Sequence, residues 1–481
     1  MCCSLVVGKK ASATGCVLFA TNDDWPGCPG HVHYTAGRNW AKDEKFITVK
    51  GTGIPQPACT YGYTYTAAAY ETGTRNVSWA DGVNDQRVAV SMQGVYAFQN
   101  YQKDGDLLEC DDVVILMLER GKSARDAIEK VGTLINQYGY TVSSIPGAEG
   151  TAAFAVADPD EAFFLEVGPG GYWCARRVDD DHVEYRPNCF GIGDVDFNDS
   201  EKFICSPGLY ELAVEKKLIQ DGDTLNFAKH FGGDYTTLNP KYGGALNPVN
   251  TLRKWTVLHR LGGLAVEPEV PLYDCKPMKP VTLRGLMDIM RDDLHDTPYS
   301  LAEKPEAGRY HNPFWMEVGT SIAQGGTVIC MLAELDRKLP AQLGSRVWFA
   351  FCNARLAPFV PCYTGGRGLP EEYQRGECGE FDMSSAWWCF QETAENCYRN
   401  YEAIVSVEVI PVFEKLEDKF ISTLDNAQEK AAEKYASEPE QACKDLTEAT
   451  DRFAKEAMET AAAVGRRIKG KYLCNTVLDW I

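Results

Sequence analysis

Long hydrophobic runs are missing from this chain of 481 residues: nowhere do about 18 apolar residues follow one another, so no membrane-spanning helix is expected. A basic excess is missing too. With 48 Lys and Arg against 68 Asp and Glu, the formal net charge is −20, which opposes nucleic acid and anionic membranes as partners and favours solubility. The first residues lack the basic stretch, apolar core and small-residue cleavage site of a secretory signal, so the expected address is the cytoplasm. No Gly-x-Ser-x-Gly elbow and no His-Glu-x-x-His occurs, which removes the commonest serine-hydrolase and metallopeptidase signatures. The glycines of Tyr242-Gly243-Gly244 and Gly325-Gly326 lack the companions of a phosphate-binding loop and read as turns. Cysteine, by contrast, is plentiful. The chain has 18, but none shows Cys-x-x-Cys spacing and a chain this long needs no staples, so most read as reduced, buried thiols.

What the chain does contain is a series of short apolar segments. Residues 5–7 and 17–20 flank the polar loop 8–15 and predict an opening hairpin. Further strands are expected at 61–69, 88–92, 152–157, 162–167 and 172–176, the third and fourth joined by a turn at Asp158-Pro159-Asp160. Helical spacing of Ala127, Ile128, Val131, Leu134, Ile135 and Tyr138 predicts a helix over 123–138, opened by Ser123 with Asp126 and closed by Gly139. A second helix is expected from Cys110, with others at 208–218, 283–294 and 384–398. The tail 412–465, rich in Ala, Glu, Lys and Asp, predicts a long helical hairpin broken near Ser437-Glu438-Pro439. Strands outnumbering helices argue for a mixed α+β fold and against a doubly wound parallel sheet.

The residue that bears most on chemistry is Cys2. An initiator Met followed by a small residue is a substrate for aminopeptidases, so Met1 is expected to be removed. That leaves one residue carrying both a thiol and a free α-amine, a group that titrates near ~8 and is placed to take the thiol proton. On its own, a cysteine at this position reads first as a small buried hydrophobe.

Its surroundings add to the case. Cys2-Cys3-Ser4-Leu5-Val6-Val7-Gly8-Lys9-Lys10-Ala11-Ser12, followed by Thr14-Gly15-Cys16-Val17-Leu18-Phe19-Ala20-Thr21-Asn22-Asp23-Asp24, resembles the dipeptidase A family of N-terminal-nucleophile cysteine peptidases. The resemblance continues in order through Gly82-Val83-Asn84-Asp85, the stretch 116–138, Ala157-Asp158-Pro159-Asp160-Glu161-Ala162, Pro187-Asn188-x-Phe190-x-Ile192-Gly193, Asn250-Thr251-x-Arg253-x-Trp255 and Thr297-Pro298-Tyr299. It covers most of the chain and fades after residue 400.

The resemblance implies a four-layer αββα sandwich over 2–400, with a helical C-terminal extension over 401–481. It also implies hydrolysis of dipeptides by acyl transfer to Cys2, with no metal and no organic cofactor. Asp24 would then hold the Cys2 amine and Asn188 would stabilise the oxyanion, as a neutral amide of fixed direction can; Arg253 would add charge to the centre. Read without the family, Asp24 ends a strand, Asn188 sits in a Pro-Asn turn and Arg253 is a solvated helix residue. A second oxyanion donor is expected from the backbone or from Gln93. One position departs from the family, which often has a basic residue directly before Asn22 where this chain has Thr21. A hydroxyl cannot lower a thiol's pKa as a guanidinium does, and Arg253 is the candidate for the missing charge.

Other readings compete. The nearest keeps the mechanism and makes the substrate an N-acyl amino acid or a related amide, with some of the 10 Trp and 23 Tyr lining a larger pocket. A second is a non-catalytic scaffold that uses the tail helices for assembly. Cys28, His31 and His33, with Cys16 and Cys59, can be drawn as a zinc site but lack established ligand spacing. Asp292-Asp293-Leu294-His295-Asp296 offers carboxylates and an imidazole, although consecutive helix residues face different ways. The apolar positions of the tail fit packing on the body or on a second copy in a homo-oligomer.

Overall fold

The apolar runs at the start of the chain pair antiparallel as β1 (Cys3–Val7) and β2 (Val17–Asp24), with Cys3 opposite Asn22 and Ser4 opposite Thr21. Both strands are buried along their whole length, as central strands with covered faces must be. Gly8 ends β1 where only a glycine fits, since a Cβ there would lie 2.3 Å from the carbonyl oxygen of Asp180. The computed structural model describes residues 2–24, 28–69, 78–95, 100–103, 105, 107–141, 151–232, 246–314, 320–366 and 368–478.

β1 and β2 occupy the middle of a seven-stranded antiparallel sheet. Its order is Asp274–Cys275, Val183–Arg186, β1, β2, Thr327–Leu335, Ser345–Phe351 and Val360–Tyr363. An eight-stranded antiparallel sheet packs on one face of it, running from Phe203–Cys205 through Trp173–Arg177, Ala162–Val167, Thr151–Ala157, Ala89–Val95, Ser78–Asn84 and Tyr63–Ala68 to Gly30–Thr35. Helices α1 (Cys110–Arg120) and α2 (Ala124–Tyr138) cover the outer face of the eight-stranded sheet. Helices Leu283–Met290 and Ala386–Cys397 and the tail cover the outer face of the other. The fold is therefore α+β, a four-layer αββα sandwich with a helical C-terminal part.

The helix over 123–138 forms as its spacing predicts, with Ser123 accepting from the Asp126 backbone N–H. The helix expected over 283–294 stops at Met290. There the Asp292 carboxylate takes the Leu294 backbone N–H at 2.8 Å, and Leu294 adopts φ 66°, a local alternative that ends the helical ladder. The tail is two helices, Ile410–Tyr435 and Pro439–Leu478, broken where Pro439 implies. Its apolar side chains Phe413, Phe420, Leu424 and Phe453 share one core with the strands of the seven-stranded sheet. Glu417 on this tail is wholly buried and receives both guanidinium nitrogens of Arg291, one from Arg284 and the Phe359 backbone N–H. None of the helices is long and apolar enough to cross a membrane among the described residues.

Candidate active site

Between the two sheets lies a layer of polar side chains. Ser4 of β1 and Ser91 of the facing sheet share a hydrogen bond of 2.5 Å. Beside them the Thr21 hydroxyl, opposite Ser4 in register, donates to the carboxylate of Asp81 at 3.4 Å. Strand alternation puts Asp23 on the same face as Thr21. Carrying the register one step past Cys3 sets Cys2 opposite Asp23, and the Cys2 thiol donates to Asp23 Oδ1 at 3.4 Å.

Asp24 is positioned differently: its Oδ1 accepts the Thr327 hydroxyl at 2.6 Å. Arg253 comes from the helix Pro248–Arg260, which Asn247 caps and Pro248 opens. Although wholly buried, its guanidinium is well supplied with acceptors. Nη1 donates to the Cys2 carbonyl at 3.1 Å, and Nη2 donates to Asn188 Oδ1 at 2.7 Å and to Asn250 Oδ1 at 3.1 Å. Asn188 turns its amide nitrogen to the Gly94 carbonyl at 2.8 Å. An amide carries two N–H groups, so that contact uses one of them. The structure thus links Cys2, Arg253 and Asn188 in one hydrogen-bonded chain, while Asp24 joins through the field of Arg253 on its carboxyl.

Burial dominates the electrostatics. It pushes the Cys2 thiol well above its ordinary value, with the Asp23 charge adding to the rise. Burial and the neighbouring Asp24 raise Asp23 to about 6. Asp81, buried and facing Asp23, is raised well above its ordinary value by burial and by the Asp23 charge. Burial works against the charge of Arg253, but Tyr185, Cys3, Asp24 and Cys2 around it hold its pKa above the usual arginine value.

Asp23 and Asp81 escape a reading of the sequence alone. The pairing of Cys3 with Asn22 is the signal that exposes Asp23, and it needs the hairpin register. Asp81 shows only as an acidic residue in the interior of the strand Ser78–Asn84. Gln93 lies in the same layer, its amide nitrogen donating to Ser4 Oγ and reaching Ser91 Oγ at 3.5 Å. Its Oε1 is buried without a hydrogen-bond partner among the described residues.

The competing clusters have other contacts. His31 sets Nε2 against the Gly376 carbonyl at 2.8 Å, and His33 lies against the Tyr65 ring. No group of three His, Cys, Asp or Glu side chains is placed to hold a metal among the described residues. His295 pairs with Asp293 at 2.8 Å and lines a cavity of about 380 Å³ with Arg260, Arg291 and Arg355.

The family model described as peptidase family C69 matches residues 1–410 of the chain. Over 480 aligned residues the chain is 25% identical to the probable dipeptidase B of Lactococcus lactis subsp. lactis (strain IL1403), covering 90% of this chain and 92% of that protein. It is 25% identical to dipeptidase A of Lactobacillus helveticus over 440 residues, 87% of this chain and 84% of that one. Among solved structures, penicillin V acylase from Agrobacterium tumefaciens aligns at 10% identity over 76% of this chain and 86% of its own, with a TM-score of 0.34. The C2A mutant of conjugated bile acid hydrolase from Clostridium perfringens aligns at 12% identity over 53% and 73%, with a TM-score of 0.28.

Proposed function

Because the chain belongs to peptidase family C69, we propose that it hydrolyses dipeptides by acyl transfer to the Cys2 thiol once Met1 has been removed. The observation that carries this reading is the chain of contacts from Cys2 through Arg253 to Asn188, set at the end of a central strand. The dipeptidase names of the relatives supply the substrate class.

A thiol with a raised pKa stays protonated until a base lies beside it. Removal of Met1 creates that base on Cys2 itself, an α-amine that titrates near ~8. The amine takes the thiol proton and the thiolate adds to the scissile carbonyl. The second N–H of Asn188 meets the oxyanion as it forms, and Arg253 fixes Asn188 by holding its oxygen at 2.7 Å. The ammonium on Cys2 returns the proton to the leaving amine, and the C–N bond breaks to give a thioester. Water, its proton taken by the same amine, then releases the amino acid.

Intact mass and alkylation of the full chain test the first step. Loss of Met1 together with stoichiometric labelling of Cys2 supports the enzyme, and retained Met1 supports a non-catalytic scaffold. A panel of dipeptides set against N-acyl amides tests the substrate. Asn188→Ala is expected to lower kcat by about 100- to 1,000-fold with KM little changed, read by steady-state kinetics on the preferred dipeptide. An unchanged kcat would remove Asn188 from the oxyanion site.

A further inference from the structure

We infer that the Asp23 carboxylate binds the α-ammonium of the peptide substrate and so selects a free amino terminus over an acylated one. This rests on the reading that Cys2 Sγ attacks the scissile carbonyl. In a dipeptide the ammonium sits on the carbon next to that carbonyl, so whatever holds it must lie beside the attacking atom. An attacking atom stands about 3–3.5 Å from the carbon it attacks, and Asp23 Oδ1 is 3.4 Å from Cys2 Sγ. This places the carboxylate on the ammonium rather than on the far end of the substrate.

The surroundings of Asp23 favour a cation. Asp24 acts on Asp23 with like charge, and the Asp23 charge in turn raises the Asp81 carboxyl on the facing sheet. Thr21, between Ser4 and Asp23 in the layer, is neutral and spends its hydroxyl on Asp81. Arg253 gives its donors to the Cys2 carbonyl, Asn188 and Asn250. A second observation points the same way. Gln93, wholly buried and on the same inter-sheet layer through its contact with Ser4, carries a carbonyl oxygen with no donor among the described residues. An ammonium brings three donors, whereas an acylated nitrogen brings one and no charge.

The test measures kcat and KM of the full chain and of Asp23→Asn on alanyl-alanine and on N-acetyl-alanyl-alanine. The native protein is expected to prefer the free amine. Asp23→Asn is expected to raise KM for alanyl-alanine about 10- to 100-fold, the range of one charged hydrogen bond, with a smaller change in kcat, and to raise KM for the acetylated peptide less. Equal loss of kcat on both peptides with KM unchanged would make Asp23 a proton acceptor for Cys2 and overturn the inference, as would an unaltered preference. Calorimetric titration of the same two peptides into Cys2→Ala, with and without Asp23→Asn, reads the contact in the absence of turnover. Greater weakening of alanyl-alanine supports it, and equal or no weakening of the two overturns it. If the native chain hydrolyses neither peptide, the proposed reaction falls and the titration still decides the ammonium contact. Should Asp23→Asn not fold, Asp23→Glu keeps the charge and is expected to keep the preference; its loss there would overturn the inference.

Discussion

Cys2→Ala is expected to lower kcat/KM on the preferred dipeptide by at least about 10,000-fold, because the nucleophile and the group oriented on it fail together when the nucleophile is removed. The effect is larger than that of any other single change at the site. Asn188→Ala removes one stabilising donor, and Asp23→Asn removes one binding contact, but each leaves the thiol able to react. Cys2→Ser separates two explanations that alanine does not. It keeps a side chain of similar size and a hydroxyl that the α-amine can deprotonate only poorly, so a small residual rate above the alanine variant is expected. Folding should be little affected by either change, since Cys2 is only half-buried and its backbone carbonyl, held by Arg253, is untouched. Turnover of Cys2→Ala equal to that of the native protein, measured on pure material, would end the proposed mechanism.

Glu417→Ala is expected to destabilise the protein by about 3–5 kcal/mol, the cost of removing one partner from a buried charge pair. Glu417 receives Arg291, Arg284 and the Phe359 N–H, and Arg291 is nearly as buried as Glu417 itself. The variant leaves Arg291 with the carbonyls of Ala354 and Ala357 and the face of the Phe359 ring. Those contacts share its charge but do not neutralise it. Two companions give the prediction its sign. Glu417→Gln, which still accepts a hydrogen bond, is expected to lose less. Glu417→Leu with Arg291→Met, which removes both charges, is expected to recover a large part of the loss. Urea unfolding of the three variants checks the order, and equal midpoints for native and Glu417→Ala would show that the pair is not a determinant of stability. Because Arg284 lies on the helix Leu283–Met290 and Arg291 caps its end, this pair fastens the tail to the layer that covers β2.

How much of this was legible in the sequence differs between elements. The opening hairpin announced itself through two apolar runs around a polar loop, and α2 through a stripe of six apolar positions with a serine cap. The strands Thr327–Leu335 and Ser345–Phe351 gave no such signal, although they complete the sheet that holds Cys2. Thr327–Leu335 is buried on both faces, so it shows no alternation, and a short apolar run of that kind resembles a segment of buried helix. At the site, Cys2 was legible because its place in the chain carries chemical meaning. Arg253 and Asn188 stood in short words with ordinary structural explanations, and only the fold shows one holding the other. Asp23 is adjacent to Asp24, the residue that the family resemblance singles out. The choice between neighbours on a strand is a choice between faces, and one residue of register decides it.

Hydrogen bonds between Ser4 and Ser91, between Gln93 and Ser4 and between Thr21 and Asp81 join the sheets at the height of the nucleophile. They act as pegs that set how far one sheet can slide over the other. Apolar side chains tolerate a slip of a fraction of an ångström with little loss, whereas a hydrogen bond between short side chains does not. The alignment of the reacting groups is therefore kept by the same polar contacts that interrupt the core, and a loosened peg would be felt first as a loss of aim rather than as a loss of folding.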